Sequence, residues 1–255
     1  MVLGSVLKTT QILNIISDGK NKPVTLSHIS EATGINKSTC SHIISTLMEE
    51  GFVKRISQTQ GYILGPQVYC LCRHGKYDDE LSEICHPILK WIYKKTGCAV
   101  VLAVVENGKK FAIDYIDNEN KILRPNKDIY PDDLYRTATG RIIMANMNEN
   151  ELREAFDKNG IPPKGHWDEV KSFEDLLFEI SKINGKKTVK TDYIPKDKQI
   201  VLSGYAAAVF KNSKCIGAIG VATYSTPDFT DSDEENIIST LLKARAEIGR
   251  RLNYT

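Results

Sequence analysis

The sequence predicts an α+β chain in two parts: an N-terminal winged helix-turn-helix and, after a linker helix, an antiparallel sheet with flanking helices. Three observations predict it. At 255 residues the chain has room for two domains of ordinary size. Residues 25–65 read TLSHISEATGINKSTCSHIISTLMEEGFVKRISQTQGYILG, which sets a short helix, a tight turn, a second helix and two short strands in one stretch. Beyond residue 79, strand-like runs cluster between helical segments without regular strand–helix alternation.

Val6, Ile12, Leu13 and Ile16 predict a first amphipathic helix, which the polar run SDGKNKP ends. Thr25 stands where an N-cap belongs and opens the second helix. In the turn Thr33-Gly34-Ile35, Gly34 can take the left-handed conformation, and Ile35 is free to plug the angle between helices. Asn36 caps the next helix, and Ile35, Cys40, Ile43, Ile44 and Leu47 recur as a stripe that must be buried. The opposite stripe holds Ser38, Ser41, His42 and Ser45, with Lys37 and Thr39 in the first turn and no carboxylate before Glu49 and Glu50. Short polar and cationic groups on a capped helix, whose free N–H groups and dipole favour phosphate, suit the major groove of double-stranded DNA. After Gly51 the run FVKRI alternates, SQTQG makes a polar tip and YIL returns. On this wing Lys54, Arg55, Gln58 and Gln60 are candidates for phosphate or minor-groove contact. A small helical domain with an ordinary solvated face is the bland alternative, and the GYILG closure weighs against it.

PQVYCLCRHGKYDD begins with a proline and ends in a charged joint, which places a largely helical linker at residues 66–78 between domains at 1–65 and 79–255. Helical periodicity resumes over Glu80–Thr96 and ends at Gly97. Strand patterns follow at CAVVLAVVE, KFAIDYID and a short KILR, then helices at Ala138–Met147, Glu149–Lys158 and Phe173–Ile183. KTVKTDYI, QIVLSGYAAAVF and CIGAIGVATYS read as further strands, and Asp233–Leu252 as a last helix with Ile237, Ile238, Leu241, Leu242, Ile248 and Leu252 on one face.

The net charge of +2 excludes little, but its distribution is uneven. Residues 1–75 hold seven basic against four acidic side chains, and the remainder holds 27 against 28. One copy of so modestly basic a module binds DNA weakly, which makes a dimer the natural arrangement. No apolar run is long enough to span a membrane, and no secretory signal opens the chain, so a cytoplasmic location is expected. The six cysteines form no disulfide framework. Cys70, Cys72, His74, Cys85 and His86 are soft ligands at close spacing but lack a paired C-x-x-C, so neither a metal nor a cofactor is expected. No nucleophile elbow, zinc-protease helix, phosphate-binding P-loop or dinucleotide fingerprint is present. His166 reads as a loop or packing residue, and Cys215 has no visible partner histidine, so no enzyme is expected.

With these elements in order, the chain resembles the IclR family of bacterial and archaeal transcription regulators. The resemblance runs from Ser5-Val6-Leu7 through ISEATGINKSTCSHIISTLMEEGFV and GYILG, and resumes at KKTGCAVVLAVVE, LYRTATGRIIMA, ING, SGYAAAVF and CIGAIGV. It implies a second domain related to GAF and PAS sheets, a dimer or tetramer, and a DNA-binding regulator, a repressor by first expectation, controlled by a small-molecule effector, often an organic or aromatic acid. Where the family commonly carries Arg in the recognition helix this chain has His42, so operator sequence does not transfer. The family's effector pocket maps onto the loop at Ala138-Thr139, an acidic residue near Asp192, and strand positions Gly204, Gly220 and Ala222, the last three without small polar side chains. That favours a less polar ligand, one held through backbone groups, or no ligand.

From the residues alone, Thr137-Ala138-Thr139-Gly140 is a helix start whose N–H groups favour a carboxylate, flanked by Arg136 and Arg141; it reads equally as a capped helix with solvent-facing arginines. Asp192 reads on its own as a solvated carboxylate at a strand end. The alternative function is a ligand-independent DNA-binding regulator whose second domain serves only for oligomerisation.

Overall fold

The computed structural model describes residues 3–19, 22–57, 59–72, 79–117, 133–194, 201–225 and 229–253. The chain divides into two compact units, Met1–Lys76 and Tyr77–Thr255. The expected strand KILR, Gln58 and His74 lie outside the described residues.

In unit 1, helices α1 (Gly4–Asp18), α2 (Leu26–Thr33) and α3 (Lys37–Glu49) precede strands β1 (Val53–Ser57) and β2 (Gly61–Leu64) and helix α4 (Pro66–Cys72). Ile12, Ile16, Ile29, Ile35, Cys40, Ile44 and Leu47 form the core together with Val53 and Tyr62 of the wing. The turn between α2 and α3 is as its sequence dictates: Gly34 sits at φ 69° and ψ 7°, and Ile35 is buried. The carbonyl of Ile35 accepts from Ser30 Oγ at 2.6 Å and so closes the corner. The antiparallel wing gains a third edge, because Val24 and Tyr62 exchange backbone hydrogen bonds of 2.8 and 2.9 Å. Gly61 is required there, since a Cβ would stand 2.3 Å from the Val24 carbonyl oxygen.

Unit 2 is built on a five-stranded antiparallel sheet in the order β4-β3-β7-β6-β5. Its strands are β3 (Ala99–Glu106), β4 (Lys109–Ile116), β5 (Val189–Tyr193), β6 (Val201–Lys211) and β7 (Lys214–Ser225). Side chains alternate between the two faces. Val100, Leu102, Val104, Ala207, Val209, Ile219 and Val221 face helices α5 (Asp79–Thr96) and α9 (Asp231–Leu252) in one core. Ala206, Ala208, Ala218 and Val189 face helix α6 (Ala138–Met144) in another. Helices α7 (Glu149–Asn159) and α8 (Phe173–Ser181) close a further cluster around Trp167. The α+β expectation, with helices on an antiparallel sheet, is the architecture observed.

The row of small residues on the α6 face has a steric reason. A Cβ at Gly220 would lie 2.5 Å from Thr139 Cγ2, and one at Gly140 would lie 2.0 Å from the Leu134 carbonyl oxygen. The first turn of α6 therefore rests close on the strands, and the space between them is the site described next.

Candidate functional site

In unit 1, α3 begins where Asn36 Oδ1 accepts the Thr39 N–H at 2.8 Å. Cys40, Ile44 and Leu47 are buried, while Lys37, Ser38, Ser41, His42 and Ser45 are exposed on the other side and Thr39 is half-buried. The structure thus assembles these six residues along one side and the first turn of a single helix. On the wing Lys54, Arg55 and Gln60 are exposed. Arg55 is partly engaged: its Nη2 donates to the Tyr62 hydroxyl at 2.6 Å, and its guanidinium lies 5.1 Å from that ring's centre. The Gln60 N–H donates to Ser57 Oγ at 3.0 Å and tightens the wing tip.

In unit 2 a largely apolar cavity of about 100 Å³ lies between the start of α6 and the sheet. Ala138, Thr139, Gly204, Gly220 and Ala222 all line it. Asp192 does not. On β5 its neighbours Thr191 and Tyr193 line the cavity, so alternation turns Asp192 to the other face, where it is exposed and accepts from Ser203 Oγ at 2.6 Å. Nor does Arg141 supply charge. Its Nε donates to the Tyr135 carbonyl at 2.7 Å, its Nη2 to the His166 carbonyl at 2.8 Å, and its guanidinium stacks 4.0 Å over Trp167. Burial pushes its pKa down to about 10, still far above neutrality. Arg141 is a packing residue that ties α6 to the loop after α7.

Arg136 does line the cavity. It is buried, with its guanidinium 4.3 Å from the centre of the Tyr193 ring. Asp133 organises this turn: Oδ1 accepts the backbone N–H groups of Tyr135 at 2.9 Å and Arg136 at 2.8 Å, and Oδ2 lies 2.6 Å from His166 Nδ1. His166 thus packs its ring against the turn that Asp133 organises. Thr137 Oγ1 caps α6 by accepting the Gly140 N–H at 3.1 Å.

Lys110, Tyr115, Tyr193 and Tyr224 also line the cavity and were not among the residues singled out in the sequence. Burial, with Asp117 nearby, pushes the Tyr115 phenol well above the usual range; Tyr205, though among the lining residues, packs its ring in the core with α5 and α9 and donates to Glu234 Oε2 at 3.0 Å, and burial pushes it up to about 12. Both are neutral hydrogen-bonding groups at physiological pH. Elsewhere, Cys85 is fully buried in the unit 2 core and His86 Nδ1 lies 2.8 Å from Asp114 Oδ2. Among the described residues no group of three His, Cys, Asp or Glu side chains is placed to hold a metal ion, and no helix is long and apolar enough to cross a membrane.

Residues 5–57 match the IclR helix-turn-helix domain, and residues 78–250 match the bacterial transcriptional regulator IclR C-terminal domain. The chain is similar to the transcriptional repressor IclR of Escherichia coli, 22% identical over 167 residues that make up 64% of this chain and 60% of that protein. It is similar to the HTH-type transcriptional regulator TtgV of Pseudomonas putida, 24% identical over 137 residues, 52% of this chain and 51% of that one. The matched stretches thus span between half and three-fifths of these relatives. Both relatives are transcriptional regulators by name. Among solved structures, the IclR transcriptional regulator of Alicyclobacillus acidocaldarius superposes with a TM-score of 0.74 at 20% identity, covering 99% of this chain and 100% of its own. An IclR homolog of Microbacterium hydrocarbonoxydans, solved in complex with 4-hydroxybenzoate, gives 0.69 at 14% identity with the same coverage.

Proposed function

The chain belongs to the IclR family of transcriptional regulators, and from that premise we propose that it is a sequence-specific DNA-binding repressor whose grip on its operator is set by a small organic or aromatic acid. The observation that carries this reading is the exposed face of α3, where Lys37, Ser38, Ser41, His42 and Ser45 stand clear of the core. Serines and an imidazole can hydrogen-bond base edges at close approach, and Lys37 and Lys54 add phosphate contacts. We assign residues 1–65 to DNA binding, 66–78 to a linker and 79–255 to effector binding. Apolar side chains left exposed within unit 1, Val6 and Leu7 on α1 and Tyr69 and Leu71 on α4, support association of two copies. The unit 2 cavity, and 4-hydroxybenzoate bound to one structural relative, support an acid as effector. An acid that prefers one arrangement of the dimer shifts the spacing of its two recognition helices, and with it DNA affinity.

The test is gel retention of a DNA fragment taken from beside the chain's own gene. The wild-type protein should prefer that fragment to random DNA, with affinity falling steeply as salt rises. His42→Ala should weaken specific retention by about 1–3 kcal/mol while leaving the melting temperature in place. No preference over random DNA at moderate salt would sink the reading.

A further inference from the structure

Ile56 occupies a place on the wing that the strand itself does not require. In β1, Arg55 pairs with Tyr62 and Ser57 with Gly61, neighbours on β2, so Ile56 is the extra residue of a bulge. It is also 43% exposed, the one large apolar side chain among the described wing residues left so open to water. The bulge forfeits ladder hydrogen bonds and the exposure leaves a hydrocarbon in solvent, so two costs fall on one residue. Departures from local rules that coincide in this way collect at functional sites. The bulge is nonetheless braced. On one side Arg55 Nη2 donates to the Tyr62 hydroxyl at 2.6 Å, and the Tyr62 backbone is bonded to Val24. On the other, Ser57 Oγ accepts the Gln60 N–H at 3.0 Å and lies 3.3 Å from Thr59 Oγ1. The β-branched side chain is itself stiff at χ1. Little freedom is left for Ile56 to lose when a partner covers it.

We propose that Ile56 enters the minor groove beside the segment read by α3 and wedges against a base step there. This rests on the reading of unit 1 as the DNA-binding domain and adds to it an apolar contact and a preferred kind of base pair. Width favours it: a minor groove about 6 Å across bars a two-stranded ribbon but admits one aliphatic side chain. Apolar wedges of this type partly unstack a step and kink the duplex. Lys54, exposed two positions earlier on the same strand, supplies the phosphate contact that holds the wing over the groove. The groove floor sets the preference. A guanine amino group projects into the minor groove and meets the incoming side chain, whereas an A·T pair leaves the floor clear. Ile56 is thereby a specificity-determining residue that selects A·T steps at the edge of the site.

The experiment is gel retention of the full-length protein on the fragment beside its own gene, with hydroxyl-radical footprinting to locate the minor-groove protections at the flanks of the site. With G·C pairs at those positions the wild type should bind about tenfold more weakly than with A·T. Inosine·cytosine, which lacks the guanine amino group, should bind as A·T does. Ile56→Thr keeps the β-branch and the strand preference. It should bind the A·T fragment about tenfold more weakly and no longer distinguish G·C from inosine·cytosine. Circular permutation of the site should reveal a bend of about 20° or more with the wild type and a smaller one with Ile56→Thr, while Ile56→Leu retains both affinity and bend. Equal retention by the wild type and Ile56→Thr, or a G·C penalty that inosine does not relieve, would overturn the proposal. So would a change of oligomeric state in Ile56→Thr on gel filtration, which would assign the side chain to contact between copies. Absence of any sequence preference in the wild type refutes the regulator and the wedge with it, whereas specific retention that Ile56→Thr leaves intact refutes the wedge alone.

Discussion

Gly140 and Lys110 show what single residues contribute to this site. A methyl group added at Gly140 would meet backbone, the Leu134 carbonyl oxygen at 2.0 Å, which has no rotamer by which to move aside. Gly140→Ala should therefore destabilise unit 2 by about 1–3 kcal/mol, read as a lower denaturant midpoint. An unchanged midpoint would show that the turn before α6 yields without cost. Lys110 illustrates what a sequence withholds. The stretch Asn107-Gly108-Lys109-Lys110 reads plainly as a hairpin with two lysines after its turn, and alternation requires the pair to face opposite ways. Which one turns inward depends on register with β3, a long-range property, and only the structure shows Lys109 exposed and Lys110 buried. Asp192 fails to reach the cavity for the same reason: a one-residue difference in facing exchanges it for Thr191 and Tyr193.

At the scale of elements, helix starts were the most readable feature, because a cap is a local contract between one side chain and an amide three residues on. Thr25 and Asn36 both fulfil it. The stripe of α3 was equally open to reading, since five apolar residues at helical spacing leave little choice of inner face. Helix ends were less readable: α6 stops at Met144 and α8 at Ser181, short of the periodic runs that suggested Met147 and Ile183, because turns continue the apolar pattern beyond the last helical hydrogen bond. The start of α9 is tied to two strands by Glu234, which accepts from Lys190 Nζ at 2.6 Å and from the Tyr205 hydroxyl at 3.0 Å. The Lys190 bond, with that of Tyr205, holds the Glu234 carboxyl below its ordinary value of 4.5. A depressed carboxylate stabilises the fold above its unfolded pKa and ceases to do so as pH falls through the folded one. Glu234→Gln should accordingly melt a little below the wild type at pH 7, by at most about 1 kcal/mol because the pair is partly exposed. The two curves should converge as pH falls below 4.5. A gap that persists at low pH would assign the loss to packing instead of charge.

At the scale of the whole molecule, division into two units was legible from length, from the basic bias of the first 75 residues and from the proline that opens α4. The order of strands in the sheet was not, because pairing of β3 with β7 joins segments more than 100 residues apart and leaves no local mark. Two units with separate cores should unfold separately. Differential scanning calorimetry of the full chain is expected to resolve two transitions. Benzoate at a hundredfold excess over its Kd should raise only the one belonging to unit 2, by about 2.7 kcal/mol. A single transition that shifts as a whole would mean that the units melt cooperatively.

The paired hydrogen bonds between Val24 and Tyr62 leave the wing no hinge of its own. Since Val24 adjoins the residue that caps α2, the wing is pinned to the start of that helix, within the same core that holds α3, like one jaw of a locked caliper. On the proposed function, a duplex docked on this unit would be gauged for the distance from groove floor to flanking backbone, and sequences too stiff or too wide to meet that gauge would be disfavoured even at base pairs that no side chain touches.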